Sequence, residues 1–128
     1  MELEPWRKCW RIGFVPQMSE RQLTALRVAL EMDSPELVQG HTAIPICDGT
    51  AACEGACAVG YACWRGDGLV STFQVYQRFA EVCFEADRLI ADPAGCRWFL
   101  QWFDDTPREE VRRDLLGEID AELARRPA

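Results

Sequence analysis

The segment CDGTAACEGACAVGYACW, Cys47 to Trp64, carries four of the chain's seven cysteines in the spacing C-x5-C-x3-C-x5-C. Thiolates ligate metals and act as nucleophiles, so metal binding, redox exchange and attack by one activated thiol are the chemistries to weigh. The metal reading has a definite donor set. A helix drawn from Asp48 or Thr50 to Arg65, with Gly66 as its left-handed stop, places Cys53 and Cys57 one turn apart. Cys47 folding back from the preceding loop, Cys63 beside that face and the single histidine, His41, complete a pool of ligands for a tetrahedral zinc. The spacing argues against it, because zinc sites and iron–sulfur clusters favour C-x2-C pairs and the chain has none. Thioredoxin-like exchange fails on the same missing pair. A thiol enzyme would use Cys47, close to a helix N-terminus and six residues after His41, although the adjacent Asp48 opposes a thiolate.

A plainer reading of these residues leads. On a helix over 50–65, Cys53, Cys57, Gly60 and Trp64 share one face within roughly 60°, at about 100° per residue. Gly55, Ala58 and Ala62 lie opposite, and only Glu54 and Arg65 are polar. Such a helix is apolar nearly all round and made of small side chains, which suits a central element closely approached by its neighbours. No cofactor is then expected, and zinc is the alternative.

Other chemistries leave fainter traces. Asp104 and Asp105 precede the last helix, where turn chemistry and the helix dipole already account for acids. The GDG at Gly66–Gly68 lacks the spaced oxygen donors of a calcium loop. Phosphate-binding glycine loops, serine elbows and H-E-x-x-H motifs are absent from the sequence.

The elements that must position these residues begin with clear signals. Ser19 with Gln22 and Ser71 with Gln74 are capping boxes, predicting helices from about Glu20 to Met32 and from Thr72 to Ile90. In the second of these, Phe73, Tyr76, Ala80, Cys83 and Ile90 recur on one side, flanked by Phe79 and Phe84, and are expected to face the core. Ser34–Pro35 and Asp92–Pro93 predict two further starts, the first a short helix that Gly40 ends. Thr106, Pro107 and Glu109 open a last helix with Val111, Leu115, Ile119 and Leu123 on its apolar stripe. HTAIPI reads as loop or extended chain, since Ile44 precedes a proline. Residues 1–18 read as an extended arm packed on or near the domain. The expectation is a mostly α, compact single domain over residues 1–128: five or six helices, a central small-residue helix and an extended N-terminal arm.

Composition bounds the function. Acids outnumber bases 21 to 14, a net charge of −7 that repels nucleic acid and anionic membrane alike. No apolar run reaches the length of a membrane span or a signal peptide, so a cytoplasmic location is expected, where structural disulfides are rare. Five tryptophans are many for this length. Trp6, Trp10, Trp98 and Trp102 are therefore candidates for contact with a protein partner or a second copy. The leading expectation is a non-catalytic helical protein that binds another protein in a regulatory, adaptor or assembly role. A cysteine-ligated metal protein and a thiol enzyme are the alternatives.

Overall fold

Helices can begin where side chains take up orphan backbone N–H groups, and the chain does so at Ser19 and Ser71 as its sequence directs. The computed structural model describes residues 3–41, 43–45 and 52–127, with backbone alone at 43–45. In order these form α1 (Pro5–Cys9), continued by a π-helical turn at Trp10–Phe14 and a 3-10 turn at Val15–Gln17; α2 (Glu20–Glu31); β1 (Ala43–Pro45); and β2 (Cys53–Ala56). There follow α3 (Ala58–Tyr61) with a π-helical turn at Ala62–Gly66; α4 (Thr72–Ile90); α5 (Arg97–Asp105); and α6 (Arg108–Arg125). Six helices thus make a compact, mostly helical bundle among the described residues, with the short, fully buried α3 in its interior and a helical arm at its N-terminus.

Both capping boxes are present. Ser19 Oγ accepts the Gln22 N–H and Gln22 Oε1 accepts the Ser19 N–H, and Ser71 and Gln74 do the same at α4. Val111, Leu115 and Ile119 of α6 are buried, with Leu123 half-buried behind them.

Five expectations are corrected. The helix expected from Asp92–Pro93 begins only at Arg97, after a turn in which the Gly95 N–H donates to Asp92 O at 3.0 Å. The arm is helical, not extended: Pro5 starts α1, and Trp6, Cys9, Trp10 and Phe14 all bury at helical spacing. The short helix after Pro35 does not form. Its backbone pairs instead, Val38 N–H to Ala56 O at 2.8 Å and Ala56 N–H to Glu36 O at 2.9 Å. The single helix over 50–65 is replaced by β2, antiparallel to β1 with Ala43 opposite Ala56, and then by α3. Cys53 and Cys57 therefore do not share a helix face. On α4 the core side is Val75, Val82 and Ala86, with Phe79 and Ile90 packed against it, whereas Phe73, Tyr76 and Ala80 turn outward. The small side chains on the inner face let Gly13 come close; a Cβ there would lie 2.7 Å from Ile90 Cδ1 and 3.1 Å from Ala86 Cβ.

Phe99 of α5 knits the arm to the bundle. Its ring centroid lies 5.0 Å from Trp10, 5.3 Å from Phe14 and 5.9 Å from Trp102, and Trp102 stacks on Trp6 at 3.6 Å. The buried Glu118 of α6 takes Arg11 in a two-pronged pair at 2.8 Å and Arg7 at 2.7 Å. Arg108 donates to Leu37 O and Ser34 O, while Arg112 donates to Leu30 O and Glu31 O. Arg7, Arg11, Arg108 and Arg112 therefore serve internal contacts.

Gly66 lies close against α2. A Cβ at that position would sit 2.7 Å from Gln22 Cα and 2.6 Å from its Cγ. Gly66→Ala is expected to cost about 1–3 kcal/mol, lowering Tm by roughly 3–10 °C. Gly117→Ala, in the interior of α6 with open space around it, is expected to raise stability by about 0.5–1 kcal/mol. Thermal melts of the two variants check this, and equal midpoints would contradict the packing described.

Candidate functional site

β2 and the start of α3 decide what the cysteines can do. Cys53 lies in β2, Cys57 immediately precedes α3 and Cys63 is in the π-helical turn, all three buried. Cys47 lies outside the described residues, as do Asp48 and Thr50. His41 is described and exposed. Among the described residues, no group of three or more His, Cys, Asp or Glu side chains is arranged to hold a metal ion.

Cys57 borders a cavity of about 100 Å³ together with His41, Phe79, Phe99, Leu100 and Asp104. Burial pushes its thiol up to about 11; the Val59 and Gly60 N–H groups favour the thiolate, but Asp104 opposes it. At neutral pH the sulfur is therefore protonated, and the cavity has room for only a few water molecules. Burial likewise pushes Cys63 up to about 12. Cys9 is pushed up to about 12 by burial as well, and its sulfur donates to Gly95 O at 3.3 Å. Cys83 and Cys96 are half-buried neighbours on α4 and before α5. Burial and the Asp87 carboxylate raise Cys96 to about 11, and burial raises Cys83 further. The described thiols whose shifts are resolved thus share one electrostatic setting, the protonated form in an apolar surround.

The tryptophans divide differently from expectation. Trp6 and Trp10 are 4% and 1% exposed, so the arm carries core rather than a docking surface. The reason is the cage around Phe99, which needs both rings. Trp102 is half-buried against Trp6. Trp98 is on the surface at 43% exposure, its ring under the Arg97 guanidinium, beside a shallow groove with Leu3, Pro5 and Ile90.

An exposed apolar helix face lies on α4. Phe73 is 72% exposed, Phe84 75% and Tyr76 49%, and Ala80 between them is exposed too. Their spacing of three, four and four residues keeps them within roughly 80° of arc, at about 100° per residue. The same aromatic residues marked the stripe in the sequence, but as core. What sequence reasoning missed was a second apolar stripe, Val75–Phe79–Val82–Ala86, which competes with it for the inner side. The charged residues around the outer stripe are mostly paired along the helix: Arg78 with Glu81 at 3.1 Å, and Arg88 with Glu85. Among the described residues, no helix is long and apolar enough to cross a membrane.

Comparison with protein-family models, with curated proteins and with solved structures finds no match to this chain.

Proposed function

We propose that this protein acts by binding another protein through the outer face of α4, in a regulatory, adaptor or assembly role. One observation carries the reading: three aromatic side chains, Phe73, Tyr76 and Phe84, stand in solvent on one stripe of a helix whose opposite stripe already fills the core. Taking about 200 Å² for a fully exposed aromatic side chain, they expose roughly 400 Å² of aromatic surface. The largest apolar patch of a typical monomer is of about that size and is often functional, and aromatic residues are the usual anchors of protein interfaces. The net charge of −7 supports a protein over nucleic acid as the partner.

A photo-crosslinking amino acid placed at the exposed Gln77, beside the stripe, tests this in cells that express the full chain. Adducts heavier than the chain are expected. They should fall at least about tenfold when Phe73→Glu and Phe84→Glu are added together. Adducts indifferent to the two charges, or none at all, would overturn the proposal.

A further inference from the structure

We infer that Cys83 and Cys96 are a modification site: a dithiol that low-molecular-weight disulfides convert, reversibly, into a bond locking α4 to the start of α5. The inference is independent of the reading of the outer α4 face. Local chain geometry brings the pair together. α4 ends with Ala91 in the left-handed conformation, φ 62°, and the Asp92 N–H returns to Asp87 O at 3.1 Å. The chain therefore doubles back along the last turns of the helix. Asp87 Oδ1 then accepts the Cys96 N–H at 2.7 Å, which fixes the residue at the head of α5 beside α4. Cys83 lies one turn before Asp87 on the same helix face. From there its thiol donates to the Cys96 sulfur, and the Cys96 thiol donates to the Asp87 carboxylate.

Exposure separates this pair from the other described thiols. Cys9, Cys53, Cys57 and Cys63 are buried, whereas Cys83 and Cys96 are half-buried and open to a small reagent. Cys9 approaches the same corner, but it is 1% exposed and its sulfur already donates to Gly95 O. The chemistry balances with one small disulfide, R–S–S–R. Cys96, the less raised of the two thiols, ionises and attacks one sulfur of the reagent, releasing RS⁻ and leaving a mixed disulfide. Cys83, already in contact, ionises in turn, attacks Cys96 Sγ and expels the second RS⁻. The two RS⁻ take up the protons that the chain loses, so two electrons and two protons leave the dithiol as 2 RSH. Burial of both thiols, and the Asp87 carboxylate beside Cys96, keep the pair protonated at neutral pH. The first attack is therefore slow, which reserves the bond for a sustained excess of oxidant.

The test is to incubate the full chain with oxidised glutathione at neutral pH, alkylate it in denaturant and digest it with trypsin without reductant. Cleavage after Arg78, Arg88 and Arg97 places Cys83 in residues 79–88 and Cys96 in residues 89–97, each as the only cysteine of its peptide. Those two peptides are expected joined, in at least about tenfold excess over any other cysteine pair. Dithiothreitol should separate them. Cys83→Ser should stop at the mixed disulfide, with one glutathione on Cys96, and far-UV circular dichroism confirms that this variant is folded. Both thiols still reduced at a glutathione level that oxidises the denatured chain would overturn the inference. So would a Cys9–Cys96 link, or a Cys83→Ser variant whose Cys96 stays free.

Discussion

Removal of residues 1–11 is expected to abolish the cooperative fold. The deleted segment holds Trp6, Cys9 and Trp10, all buried, and both arginines that pair with Glu118. Truncating one buried tryptophan costs about 3–5 kcal/mol. Losing two, and leaving the buried Glu118 carboxylate without its cations, adds up to about 9–15 kcal/mol, as much as the roughly 5–15 kcal/mol that holds a typical domain. The shortened chain should show no thermal transition and diminished helical circular dichroism at 25 °C. A folded truncation with only weakened association would return the arm to the surface role that its tryptophans suggest in the sequence.

Raising the pH from 8 to 10 should destabilise the protein by roughly 3–4 kcal/mol, through its buried thiols. Cys9, Cys57 and Cys63 are 1%, 5% and 1% exposed, and burial moves them from an ordinary value of 9.0 to about 12, 11 and 12. A thiol that resists ionisation in the folded state but ionises freely in the unfolded chain favours unfolding once the pH passes its unfolded value. Its contribution is therefore fully present below about pH 9 and is lost as the pH climbs towards the folded value. Three thiols at about 1 kcal/mol each by pH 10 give the figure above. Denaturant melts at pH 8, 9 and 10 under reducing conditions measure it, and a midpoint that holds constant across them would mean these sulfurs meet solvent.

What the sequence discloses depends on whether the signal is local. The starts at Ser19 and Ser71 were legible because a capping box is written in four consecutive residues and needs no distant partner. The α6 stripe was legible because a single apolar period runs through it. The strand Cys53–Ala56, at the front of the expected small-residue helix, was not. Alanine, glycine and cysteine carry almost no periodicity, and the choice of strand over helix there is made by backbone pairing with Ala43–Pro45 and Glu36–Val38, remote in sequence. α4 failed in a different way. Two apolar stripes share that helix, and which one turns inward is a matter of tertiary packing, such as the close fit of Gly13 against Ala86 and Ile90. The candidate surface was thus visible as a set of residues but not as a surface.

The binding face exists only if Phe73 and Phe84 lie outside the core, and a thermal melt of the Phe73→Glu/Phe84→Glu variant tests this most directly. Surface substitutions of this kind shift stability by about 0.5 kcal/mol or less each, so the midpoint should stay within roughly 4 °C of the native chain. Two carboxylates forced into a packed interior would instead remove most of the fold's stability. A collapse of the transition would put the aromatic stripe back in the core and contradict the account.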